Sequence, residues 1–339
     1  AVRMHRPSES CPVVRTLRGK THLDLHLIGG CGSSGTTLLA HILHGLRDIR
    51  TGPEMGLFHH RCLYQAEGFR QNLYRLLAGQ GARVGMAVDK LDLPLVPSVF
   101  FMDREYYGVH GSDDEYAMFE AAEDLPSLLR WVKGRMASQQ GIHEPFVWLD
   151  QTPKNAIAAK EFLDNFPGST FIHLVRDGRD VMLSLARRYA QEAPGHSEST
   201  YLTVGMARWA YDTTQALRAR HLPGYMEVRY EDLVSNPLRS VNAILARFGR
   251  APVQQGDLDA AVARSPSAAF TGGAKPTWGM HPGQEISSRS VGRWRTALSA
   301  GFVEKVKGFH YTLAADLPNG ESTPTVYHFG QQLQRLGYR

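Results

Sequence analysis

An apolar run, a glycine-rich turn and a second apolar run follow one another between Leu23 and Leu43, and few folds accommodate that order. Leu23-Asp24-Leu25-His26-Leu27-Ile28 reads as a buried strand, and Leu38-Leu39-Ala40-His41-Ile42-Leu43 as a helix. Between them lies Gly30-Cys31-Gly32-Ser33-Ser34-Gly35-Thr36-Thr37. Such a turn lets backbone N–H groups converge on an anion, and the positive end of the following helix dipole adds to the attraction. The segment reads as a phosphate-binding loop in an α/β fold.

Thr36 stands where a nucleoside triphosphatase carries the lysine that reaches the β- and γ-phosphates, which disfavours NTP hydrolysis and kinase chemistry. A 5′-phosphate or phosphosulfate still fits. A second segment repeats the order: the strand-like Phe171-Ile172-His173-Leu174-Val175, then Arg176-Asp177-Gly178-Arg179-Asp180, then the helical Val181 to Ala186. Arg176 falls at a strand's C-terminal end, the edge where parallel sheets bind ligands, and Ser184 follows about two helical turns later. A guanidinium with a hydroxyl beside it suits a second phosphate. Two more strands, Phe146 to Leu149 and Tyr225 to Val228, and helices over 154–164, 178–190, 199–221 and 237–249 predict a doubly wound, mainly parallel sheet with helical and loop insertions. Residues 61–78 have the spacing of an amphipathic helix, and the acidic run Asp113 to Glu115 should open another from Tyr116 to Gln139.

The two segments resemble the 5′-phosphosulfate loop and the 3′-phosphate element of sulfotransferases that use 3′-phosphoadenosine 5′-phosphosulfate (PAPS), which have a P-loop-type α/β fold. The first family pattern, a basic residue followed by S-G-T-T and a bulky residue, is matched by Ser34-Gly35-Thr36-Thr37-Leu38. The second, an arginine and a serine eight apart in V-R-D-x-R-D-V, is matched by Arg176 and Ser184. Val228-Arg229-Tyr230-Glu231-Asp232-Leu233 and Ser290-Val291-Gly292-Arg293-Trp294-Arg295 agree in type and order with two further family stretches. The pattern is nearest to the tyrosylprotein sulfotransferases and their bacterial relatives. The resemblance implies a 5′-phosphosulfate on Gly32, Ser33, Ser34, Gly35, Thr36, Thr37 and Leu38, and adenine against Tyr230. It implies a 3′-phosphate on Arg176 and Ser184, covered by the region of Arg289, Gly292 and Arg293, with 3′,5′-adenosine diphosphate (PAP) as product.

In that group a glutamate in a G-x-E segment takes the acceptor proton, and Thr51-Gly52-Pro53-Glu54 offers Glu54. A carboxylate is a weak base for an alcohol unless burial raises its basicity, so the site should be desolvated. His59 and His60 are the rival bases, His59 being the first alternative. The sequence departs from the family twice. Ser33 replaces the usual loop lysine or arginine, and Gln151 replaces the lysine of D-K-T-P-x-N in Asp150-Gln151-Thr152-Pro153-Lys154-Asn155. Lys154, Lys90, Arg289 and Arg293 are the candidates to supply the missing charge, Lys154 being equally readable as a solvated first-turn residue.

With 339 residues and 42% apolar content the chain can bury one large core. We expect a flexible basic lead-in at 1–20, one α/β domain over 21–316 and a C-terminal tail at 317–339 that packs or makes an oligomer contact. Within the domain, 80–113 should form an acceptor-binding region and 270–292 a cover over the nucleotide, with Trp278 and His281 at the acceptor entrance. A net charge of +5 suits an anionic nucleotide but is too dispersed to argue for nucleic acid. Cys11, Cys31 and Cys62 form no disulfide framework, and no run has the length of a membrane span, so cytoplasmic residence is expected. Cys31, inside the loop, reads as a reactive thiol or as a small residue suited to a tight turn. No metal is called for, because loop N–H groups and nearby cations can neutralise a leaving phosphate. The acceptor class is open among lipid, carbohydrate, aromatic and peptide tyrosine hydroxyls. Two alternatives stand beside sulfuryl transfer: a nucleotide-binding protein with lost or weak catalysis, and a P-loop small-molecule kinase using Asp150 for Mg²⁺.

Overall fold

The computed structural model describes residues 23–46, 48–79, 85–88, 91–94, 99–100, 103–264, 286–316 and 322–338. The lead-in at 1–20, Cys11, Lys90, Val96 to Ser98, Trp278, His281 and most of the expected nucleotide cover lie outside these residues. The described chain begins with β1 (Leu25–Gly29), α1 (Thr36–His44) and β2 (Ile49–Thr51), then α2 (Phe69–Leu77) and a hairpin of β3 (Gly85–Val88) and β4 (Leu91–Pro94). Next come α3 (Ser112–Ala121), α4 (Leu125–Gln139), β5 (Val147–Asp150), α5 (Ala159–Asn165) and β6 (Phe171–Val175). The long helices α6 (Gly178–Glu192) and α7 (Glu198–Leu217) lead to β7 (Tyr225–Arg229), α8 (Tyr230–Ser235), α9 (Pro237–Arg247) and α10 (Gln255–Arg264). Past the nucleotide-cover region lie α11 (Trp294–Ala297), α12 (Ala300–Lys307), the hairpin β8 (His310–Asp316) and β9 (Ser322–His328), and α13 (Phe329–Arg335).

Five strands form one sheet in the order β2-β5-β1-β6-β7, all parallel, with Leu25 opposite Trp148 and Leu27 opposite Phe171. The strands are apolar on both faces, as a sheet covered by helices on both sides requires. Ile28, Leu149, Ile172 and Leu174 point to the face covered by α1, α9 and α10. Leu25, Leu27, Trp148 and Phe171 point to the other, which packs against α4 and α5. Val175 on that second face joins the α6, α7 and α13 cluster. Adjacent strands β1 and β6 thus send their following helices, α1 and α6, to opposite faces. The gap this opens at their C-terminal ends is the binding crevice of a doubly wound sheet.

Several boundaries differ from the sequence reading, each for a local reason. The helix expected over 61–78 is a 3₁₀ turn at Arg61–Tyr64 and then α2, separated at Gly68, whose φ is +72°. The helix expected from Tyr116 to Gln139 is two helices, because Asp124 caps α4 through Ser127 N and Pro126 follows. The acidic run Asp113 to Glu115 does open a helix, in the first turn of α3. Residues 153–158 form a 3₁₀ turn ahead of α5. The boundary expected after residue 316 falls inside the β8–β9 hairpin. Beyond it Tyr327, Phe329 and Leu333 are buried in the α6–α7 cluster, with Phe329 and Trp209 ring centroids 4.8 Å apart. The C-terminal segment is part of the core.

The Asp150-to-Asn155 stretch joins β5 to β1. The buried Asn155 amide donates to Ile28 O at 3.0 Å and to Asp150 Oδ1 at 2.7 Å. Loss of a donor to a buried acceptor costs about 1–3 kcal/mol, and Asp150 Oδ1 would keep Thr152 N. Asn155→Ala is therefore expected to lower unfolding free energy by about 3 kcal/mol in a urea titration. A midpoint equal to wild type would show that this fastening contributes nothing.

Candidate active site

The turn after β1 owes its shape to two glycines. At Gly30 (φ +158°) a Cβ would lie 2.4 Å from Leu174 O on β6, and at Gly35 (φ +100°) 2.6 Å from the Tyr230 ring. The loop is thus pressed between β6 and Tyr230, and Ser33 takes the left-handed conformation at φ +67°. No side chain caps the start of α1. The turn leaves those N–H groups to a ligand.

Arg176 ends β6 and fastens this loop to a distant segment. Its guanidinium donates to Ser33 O at 2.9 Å and Ser290 O at 2.6 Å, and lies 4.5 Å from the centroid of the Tyr230 ring. Tyr230, the first residue of α8, shares a 2.6 Å hydrogen bond with Ser290 Oγ. The rest of the Arg176-to-Asp180 motif is fastening. Asp177 caps α6 and binds the Arg179 guanidinium at 2.9 and 2.7 Å, and that guanidinium lies 3.7 Å from the Trp294 ring centroid. Asp180 accepts from Gly292 N at 2.6 Å and Trp294 N at 3.0 Å. Residues 287–294 are thereby strapped over the start of α6, and Arg293 Nη2 reaches Ser184 Oγ at 2.7 Å.

A cavity of about 640 Å³ lies beneath the strap. Gly32, Ser33, Gly35, Thr36, Thr37 and Leu38 form one wall, and Arg176, Ser184, Tyr230, Arg289 and Arg293 another. Ser34 is buried behind the loop, and the Gly292 amide is spent on Asp180, so neither is among the lining residues. Arg187, Arg188 and Gln191 also line the cavity and were not singled out from sequence. They follow Ser184 by three, four and seven positions, one face of α6, and that spacing could have found them. Five arginines and one carboxylate, Glu54, make the lining strongly cationic. Arg176 Nε and Arg293 Nε are buried without a protein partner, spare capacity that suits a multiply charged phosphate ligand.

Glu54 is 8% exposed, and its segment is held from three directions. Tyr106 Oη donates to Thr51 O at 2.7 Å and Tyr107 Oη to Pro53 O at 2.5 Å, while Gln151 Nε2 donates to Gly52 O at 3.3 Å. Burial pushes the Glu54 carboxyl up to about 7, with Arg188, Arg208 and Lys154 pulling down and Asp150 pushing up. His59 and His60 are buried with ring centroids 4.1 Å apart, and neither lines the cavity.

The charge expected at Lys154 is engaged elsewhere, and the solvated alternative fails too. Lys154 is 3% exposed and bonds both Asp212 oxygens, at 2.8 and 3.1 Å. Gln151 likewise serves as a fastener. Cys31 is buried and its thiol pushed far up by desolvation and Asp212, so the loop cysteine is a packing residue rather than a reactive thiol. Asp150 is fully buried, accepts from Thr152 N and Asn155 Nδ2, and does not line the cavity, which removes the carboxylate a Mg²⁺-dependent kinase would need there.

Among the described residues, no helix is long and apolar enough to cross a membrane. No curated protein sequence matches the chain. Among solved structures, the sulfotransferase domain from the curacin biosynthetic pathway is similar at 19% identity and TM-score 0.56, covering 93% of this chain and 97% of that one. The sulfotransferase domain of the Synechococcus PCC 7002 olefin synthase is similar at 17% identity and TM-score 0.50, over 93% and 94%. Likeness at these identities concerns the fold. The profile described as "Sulfotransferase family" matches residues 27–254, from the end of β1 through the loop, Glu54, Arg176 and Tyr230, and by that match the chain belongs to the sulfotransferase family.

Proposed function

We propose that this sulfotransferase takes its sulfuryl group from PAPS and delivers it to a hydroxyl acceptor, with Glu54 as general base. The observation that carries the reading is a buried carboxyl titrating near 7 in the same cavity as the Gly32–Leu38 loop and the Arg176, Ser184 and Arg293 cluster. The loop N–H groups and the start of α1 would hold the 5′-phosphosulfate. Arg176, Ser184 and Arg293 would hold the 3′-phosphate, Tyr230 and Arg289 flanking the nucleoside. Glu54 accepts the acceptor proton as the new O–S bond forms and the bond from sulfur to the bridging oxygen breaks, leaving PAP. A carboxyl with a pKa near the working pH combines an ionised fraction with useful basicity. Unpaired Cys31 and Cys62 thiols support a reducing compartment, the cytoplasm.

The donor assignment is tested by thermal stabilisation with PAP against ATP and Mg²⁺. PAP at a hundred times its dissociation constant should add about 2.7 kcal/mol to wild type. Arg176→Ala should abolish that shift. Stabilisation by Mg-ATP alone would instead support the kinase.

The base assignment predicts opposite effects on activity and stability. The kcat/KM of wild type should rise with pH and level off above about 7, and Glu54→Gln should lower kcat by about 10²–10⁴-fold. The carboxyl's folded pKa of about 7 exceeds the ordinary 4.5, so between these values the folded chain keeps a proton that the unfolded chain has released. Stability from this group is therefore full below 4.5 and lost as pH rises to about 7. Glu54→Gln should then stabilise the apoprotein by about 3 kcal/mol above that window and by almost nothing below it. A variant with unchanged turnover would return the base role to His59 or His60.

A further inference from the structure

We propose that Arg188, projected from α6, is a catalytic residue that neutralises charge on the bridging oxygen as the sulfuryl group leaves, in place of a cation from the loop. The inference rests on the PAPS reading above. Several cationic candidates on the loop side are absent or engaged: Ser33 carries no charge, Gln151 is bonded to Gly52 O, and Lys154 to Asp212. Arg293 is bound to Ser184 beside Arg176, at the expected 3′-phosphate end, and Arg289 arrives on the same strap.

Arg188 meets the requirement geometrically. It lines the cavity, and its Nη1 lies 3.9 Å from where a Cβ would stand on Gly32 in the phosphate loop. Its Nε donates to Glu192 Oε1 at 2.8 Å, one turn along α6, which orients the guanidinium. Arg208 approaches the same point at 3.7 Å from behind, but it does not line the cavity. It is held by Tyr189 Oη at 2.6 Å and by Asp212 at 3.7 Å. Arg188 is also the strongest opposing charge on Glu54, so it lies within electrostatic reach of both the base and the loop. In the transfer, the acceptor oxygen bonds sulfur and its proton goes to Glu54. The electron pair of the broken S–O bond stays on the phosphate oxygen, and Arg188 keeps its proton throughout. A fixed cation there needs no reorganisation as charge develops.

The test follows PAPS consumption with 4-nitrophenolate as acceptor at about pH 8, where the acceptor is already ionised and needs no base, alongside PAP thermal shifts. Arg188→Ala should lower kcat by about 10²–10³-fold with the PAP shift retained. Adding Ser33→Lys to Arg188→Ala should recover at least about tenfold, because it returns a cation to the loop. If wild type is stabilised by PAP and consumes PAPS while Arg188→Ala is equally fast, or raises only the acceptor KM, this inference alone is overturned. A wild type that PAP does not stabilise overturns the donor assignment and the inference with it.

Discussion

A buried guanidinium satisfied only by neutral carbonyls is the constraint on which this site depends. Arg176 is 5% exposed, and its two described hydrogen bonds go to Ser33 O and Ser290 O. Burial lowers its pKa and Arg293 adds to that, while Tyr230, Asp180 and Glu231 compensate in part. A buried charge with no close counter-charge is costly unless something anionic completes it. The same two bonds hold the loop and the strap in place, so the geometry that creates the electrostatic demand also shapes the cavity that an anion would fill. Trp209, donating to Arg176 O at 3.2 Å, ties the demand to the α7 core.

Glu54 poses the same problem with the opposite sign. Its burial disfavours the carboxylate, and Arg188, Arg208 and Lys154 return part of that loss. The result is a carboxyl pushed up to about 7, well above the ordinary carboxylate range. The 103–108 stretch, inside the region expected to serve acceptor binding, thus bears on Glu54, since two adjacent tyrosines pin the backbone of its segment. A site of this kind is built at some expense to stability, as functional sites with strained electrostatics generally are.

How much of this was readable without coordinates depended on the length over which each signal acts. Apolar runs that fill β1, β5, β6 and β7 show in sequence because both faces of the sheet are covered. The three residues of β2 are too few to show a period, and β9 lies in a segment whose prolines and glycine read as a tail. The loop and the Arg176–Ser184 pair were legible because a tight turn needs particular residue types at fixed offsets. Lys154 was misjudged because its partner Asp212 lies 58 positions away on α7. Arg188 and Arg208 escaped for the same reason. Their nearness to Gly32 arises only when α6 and α7 pack against the loop, and an arginine on a helix otherwise reads as a solvated face.

The distribution of positive charge gives the departures at Ser33 and Gln151 a physical sense. A cation on the loop is carried by a short turn whose conformation already includes a left-handed serine. A cation on α6 is carried by a fifteen-residue helix, one helical position on from a second arginine and one turn from Ser184. The same helix carries Asp180, which anchors the strap through the Gly292 and Trp294 amides, and Asp177 caps its start. The strap, Ser184 and the charge facing the loop are therefore set by one helix. Displacing α6 would disturb all three together, whereas a loop lysine could move alone.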